Sequence, residues 1–193
     1  MNMEAMEARL QAVLAGKEGQ RLMRQAFKAM LAPPKPAEWQ AEGARGWHLG
    51  ACLVLAEGLR IWLQDEAAEL WGVGEWTEAQ ERPPWDTNPN RYYHHGYWDV
   101  VEHVLLASGD WLIDAAGIYP KADPERLVQW WQDEFGPCVH GARPLAGLKV
   151  SMDDEGIRSS PRVSEALAAL LEHELGSGVA WLDALRPSEP ALM

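Results

Sequence analysis

A chain of 193 residues with a formal charge of −12 fits one domain, or one domain with an appended helical segment. Its acidity excludes a nucleic-acid surface, which needs basic patches for the phosphates, and equally an anionic membrane surface. Two cysteines make no disulfide framework, so Cys52 and Cys138 read as free thiols in a reducing compartment.

The N-terminus carries Glu4, Glu7 and Arg9 and lacks the apolar core of a signal peptide. No apolar run is long enough to span a bilayer, and the expected location is the cytoplasm. Eleven tryptophans among plentiful aliphatic residues imply a real core.

In chain order, residues 3–14 and 20–31 read as two amphipathic helices around Gly16, the second with a stripe of Leu22, Ala26, Phe27 and Met30. Pro33, Pro34 and Pro36 end this helical arm, taken as residues 1–36, which could pack on the main unit or offer a contact surface to a protein partner. Residues 37–186 are expected to form the main domain and 187–193 a flexible tail.

A third helix is expected over 49–64, with Cys52, Leu55, Ala56, Leu59 and Leu63 on one stripe. Residues 67–76 read as a strand. Residues 78–96 are loop by composition, and Trp85, Tyr92 and Tyr93 suggest an aromatic flap beside a substrate entrance.

Residues 99–116 read as a β-hairpin closed by the two-residue turn Gly109-Asp110. With Ser108 opposite Trp111, Leu105 faces Asp114 and Ala116 faces His103. His103 and Asp114 then become diagonal neighbours at ~7–8 Å between backbone positions. They share a face with Val101, Leu105, Ala107 and Leu112, while Val104, Leu106, Trp111 and Ile113 form the other. Two apolar faces imply a sheet covered on both sides.

Asp123-Pro124-Glu125 opens a helix that runs to Phe135, Ser160-Pro161 opens the last long one, and a short strand is expected over 145–150.

Cys52, His103 and Asp114 carry the chemistry. A thiol becomes a nucleophile only as thiolate. The free N–H groups and macrodipole of a helix N-terminus favour that anion and offer donors to an oxyanion. An imidazole serves as general base, and a carboxylate orients it and selects its tautomer. A lone His and a lone Asp on an apolar face also need partners, and each is the other's nearest candidate. The pair His94-His95 lacks further ligands at metal-site spacing, so no metal or organic cofactor is expected.

The run Gly50-x-Cys52-x-x-x-Ala56-x-x-Leu59-Arg60, then His103 on a strand, then Gly109-Asp110-Trp111-Leu112-Ile113-Asp114, resembles the transglutaminase-like branch of the papain-like cysteine-protease superfamily over residues 47–117. The resemblance implies an α+β fold, with the nucleophile at the head of a helix packed on a small antiparallel sheet. It implies Cys52 as nucleophile, His103 as base and Asp114 as orienting acid. A side chain shortly before the cysteine often supplies a second oxyanion donor in such sites, and Trp47, His48 and Gln40 are the candidates here.

The expected function is a cysteine-dependent hydrolase or acyltransferase on an amide or thioester of a peptide, protein or other substrate. The alternative is a catalytically inactive binding module, such as a pseudoenzyme, an inhibitor or an immunity-type protein, gripping its partner with the acidic surface and aromatic loop.

Overall fold

Asn2 opens the first helix: its side-chain oxygen accepts the Ala5 N–H at 2.9 Å, and α1 runs over Met3–Ala15. Gly16 breaks the chain into extended backbone before α2 (Lys17–Phe27). The second helix therefore starts three residues earlier than its apolar stripe suggests. Gly19 permits this, because a Cβ there would collide with the Val13 and Leu14 carbonyls of α1. In the computed structural model, residues 2–28, 42–77, 97–135, 141–145 and 159–185 are described. Met6, Leu10 and Leu14 of α1 and Leu22, Met23 and Phe27 of α2 belong to the same core as the Cys52 helix. The helical arm packs on the main unit.

A 3₁₀ turn over Gly43–His48 precedes α3 (Cys52–Leu63). Gly50, at φ +110°, supplies the left-handed backbone that joins them. The helix thus begins at Cys52 itself rather than near Leu49, and the thiol stands in its first turn. Most of α3 is buried, on more sides than the single expected stripe, because it packs against both the sheet and α5 (Pro161–Leu175).

Gly58 marks the crossing of α3 and α5: a Cβ would meet Leu167 Cδ2 at 2.9 Å and the Ser164 carbonyl at 3.1 Å. Gly58→Ala is expected to destabilise the fold by about 1–3 kcal/mol through overpacking. A urea midpoint equal to the wild type would refute that close approach. A last helix, α6 (Gly178–Leu185), completes the helical layer.

The fold is α+β. Five antiparallel strands, β1 (Glu69–Thr77), β2 (Tyr97–Ser108), β3 (Trp111–Ile113), β4 (Ile118–Pro120) and β5 (Gly141–Pro144), lie in the order β4-β3-β2-β1-β5. The hairpin register is as expected, Ser108 opposite Trp111 and Leu106 opposite Ile113. Gly109 takes φ +56° at the first central position, which a type II′ turn reserves for glycine.

Both faces are covered. Val104, Leu106, Ile113 and Ile118 join the core shared with α1, α2, α3, α5 and α6. Trp71, Val73, Leu105, Ala107 and Leu112 pack with Leu127 and Trp131 of α4 (Glu125–Phe135).

Two expectations are corrected. Val101 lies with Val104 and Leu106 rather than with Leu105, because Val73 pairs with His103 and Gly74 with Val101. Glu102 is the extra residue of a β-bulge, exposed to solvent, and the bulge reverses the alternation. Asp114 is not paired across the sheet, since the ladder ends at Ile113. A short strand, β5, pairs through Gly141–Pro144 with Trp71–Gly74 of β1; 146–150, most of the strand expected over 145–150, lie outside the described residues.

Candidate active site

Asp114 leaves β3 and closes a turn on itself. Its Oδ1 accepts the N–H groups of Ala116 (2.7 Å) and Gly117 (3.0 Å), and its own N–H donates to the Gly117 carbonyl at 3.1 Å. An aspartate whose side chain satisfies the backbone two and three residues on is a turn former. Here the turn also aims the second carboxylate oxygen. Oδ2 stands 3.0 Å from His103 Nε2, the length of a charge-assisted hydrogen bond, and 3.6 Å from His48 Nε2.

His103 comes from the middle of β2, on the face covered by α4. Trp131 stacks on its ring at 4.2 Å between centroids, 27° from parallel, and His48 meets it edge-on at 4.6 Å. The ring is fully buried, with Cys52 and Asp114 each 1 % exposed and His48 6 %.

With Nε2 engaged by Asp114, Nδ1 has no hydrogen-bond partner among the described residues. The Cys52 sulfur is nevertheless close enough to favour the charged ring through its field and its hydrogen-bonding capacity. No hydrogen bond closes between the thiol and Nδ1, and the Cys52 sulfur acts on the ring as a near neighbour.

The electrostatics divide the two imidazoles. Burial drives His103 toward neutrality, but the hydrogen bond it donates to Asp114, then the Cys52 sulfur, outweigh it and push its pKa up to about 9. For His48, burial and the charge of His103 act together against the weaker pull of Asp114, and its pKa falls to about 3. Burial opposes the Asp114 charge, yet the His103 hydrogen bond and the two imidazoles hold its carboxyl below the ordinary value. At neutral pH the cluster is one carboxylate, one imidazolium and one neutral imidazole. The donor atoms of His48, His103 and Asp114 lie within 4.8 Å of one another, close enough for a divalent cation. The shared proton alone accounts for the 3.0 Å contact.

Of the other sequence candidates, Trp47 is buried and its indole N–H points to the Leu14 carbonyl of α1 at 3.4 Å, away from a role as oxyanion donor. His48, weighed as that donor, sits instead beside the carboxylate and both rings. Gln40, Trp85, Tyr92 and Tyr93 lie outside the described residues, as do His94, His95, Cys138 and His140. Trp131 was legible only as an apolar position of its helix, since nothing in the spacing from β2 to α4 reveals a stack.

The chain matches no family model, no curated protein and no solved structure. Among the described residues, no helix is long and apolar enough to cross a membrane.

Proposed function

We propose that the protein is a cysteine-dependent hydrolase or acyltransferase acting on an amide or thioester bond. One observation carries this reading: a histidine is gripped by an aspartate at Nε2 (3.0 Å) while its ring neighbours a thiol in the first turn of a helix. The Cys52 sulfur, as thiolate, attacks the carbonyl carbon, and the carbonyl electron pair moves to oxygen. Free N–H groups at the head of α3 stabilise that oxyanion. The imidazolium of His103 gives its proton to the departing amine or thiol as the tetrahedral intermediate collapses to an acyl-enzyme. The neutral ring then takes a proton from water or an acceptor amine as it attacks the acyl carbon, and cleavage of the C–S bond expels Cys52 as thiolate beside the restored imidazolium. Asp114 orients the imidazole and stabilises its charge throughout. Acidity, with 29 carboxylate against 17 basic side chains, favours a cationic or neutral substrate over an anionic one.

A second reading, the catalytically inactive binding module, is favoured by the seal over the sulfur, 1 % exposed. Alkylation with iodoacetamide at pH 7, read by mass spectrometry at Cys52 and Cys138, separates the two. The catalytic reading expects Cys52 to react preferentially, and its rate to fall on the order of 100-fold in His103→Ala, the size of a general-base contribution. Equal rates at the two thiols, or labelling of Cys52 only after unfolding in urea, would leave the binding module.

A further inference from the structure

The turn that aims Asp114 does not stand alone. Its inner groups are satisfied by Asp114 itself, but two outward-facing backbone groups are not. The Ala116 carbonyl accepts Gln11 Nε2 at 2.7 Å, and the Ile118 N–H donates to Glu7 Oε1 at 2.7 Å. Glu7 and Gln11 are four residues apart on α1, one above the other on the same face, beside the buried stripe of Met6, Leu10 and Leu14. The two contacts span more than a hundred positions of sequence and bracket the turn on either side of Gly117. Gly117 is the matching half of the device: a Cβ there would meet Glu7 Oε1 at 2.9 Å, so a larger residue displaces the Glu7 carboxylate from the Ile118 N–H.

We propose that Glu7 and Gln11 are positioning residues, clamping the 114–118 turn so that the Asp114 carboxylate stays in register with the His103 ring. The claim rests on the catalytic reading for its purpose, though the clamp itself acts on the His103–Asp114 pair whether or not the thiol reacts. Without the clamp, the turn loses one acceptor and one donor on its outer side. It then moves against a ring locked between Trp131 and His48, and the 3.0 Å bond lengthens. A charge-assisted hydrogen bond weakens steeply with such a displacement.

NMR titration of the His103 ring in the full chain tests this, with the pH profile of Cys52 alkylation alongside. The wild-type ring is expected to titrate near 9. In Glu7→Ala/Gln11→Ala it should titrate lower by about one pH unit or more, as the partner that holds the proton recedes, and Cys52 alkylation at pH 7 should fall about tenfold. Glu7→Gln keeps a side-chain oxygen facing Ile118 and should restore most of the titration shift. Gly117→Ala, which leaves α1 intact, should move it in the same direction as the double variant and serves if the latter fails to fold. Leu14→Ala loosens the same helix without touching the turn, and should lower thermal stability while leaving the His103 titration in place. Unchanged titration in both the folded double variant and Gly117→Ala, or an equal shift in Leu14→Ala, overturns the proposal. Wild-type alkylation that ignores His103 would sink the catalytic reading and leave the clamp judged by titration alone.

Discussion

Truncating Asp114 to alanine is expected to lower the free energy of unfolding by about 3–5 kcal/mol, the range for removing one partner of a buried charge pair. The side chain holds three partners: two backbone N–H groups through Oδ1 and the His103 ring through Oδ2. All three are buried or nearly so. The loss leaves an imidazole that must give up its proton and a turn with two unsatisfied donors. For a chain of this size each kcal/mol moves the melting temperature by roughly 2–4 °C, so calorimetry should record a drop of about 6–20 °C. Asp114→Asn separates the terms, because an amide keeps an oxygen for the turn but removes the charge that opposes the imidazolium. It should cost less stability than alanine and still depress Cys52 reactivity on the scale seen when a triad aspartate loses its charge. A melting temperature within about 2 °C of wild type for Asp114→Ala, equivalent to under 1 kcal/mol, would show that the carboxylate is not the anchor of this cluster.

Stability should peak near pH 6.5 and fall on both sides. Each limb is led by one histidine. His103 titrates at about 9 in the folded chain against an ordinary 6.5. Its raised value means the native state binds the proton more tightly, so its contribution is complete below pH 6.5 and is lost as pH rises through 9. His48 has the opposite sign, about 3 against 6.5. Below pH 6.5 the unfolded chain protonates this ring and the native chain does not, so stability declines steadily toward pH 3. Asp114, lowered from 3.8, stabilises above that value, and its share is lost as pH falls through its folded pKa. Each histidine tilts the curve by up to about 1.4 kcal/mol per pH unit within its window. Urea midpoints measured from pH 4 to 10 test the shape. His48→Phe should flatten the acidic limb between pH 4 and 6.5 and leave the alkaline limb standing. An alkaline limb absent from the wild type would mean that His103 does not carry its proton in the folded state.

Local chemistry is what made much of this protein readable from residues alone. Gly109-Asp110 demands a tight turn, and the alternation around it forces the register of Ser108 against Trp111, so the β2–β3 hairpin follows from backbone sterics and a period of two. Asp123-Pro124 and Ser160-Pro161 announce helices because their side chains and fixed φ suit an N-terminus. The partnership of His103 with Asp114 was legible because two polar groups on an apolar face within reach of each other have nowhere better to go. The route was different from that expected, since Asp114 reaches the ring from a turn beyond the ladder rather than from a paired strand position.

Packing decided the rest. The bulge at Glu102 reversed the face of Val101, and a single extra residue leaves no trace in hydrophobic pattern. His48 joined the cluster from a 3₁₀ turn, Trp131 from the helix that covers the His103 face of the sheet, and Glu7 and Gln11 from the far N-terminus. These are contacts between segments with no local relation. Their positions depend on how helices of particular bulk settle against a twisted sheet, a property of the assembled volume that no window of neighbouring residues contains.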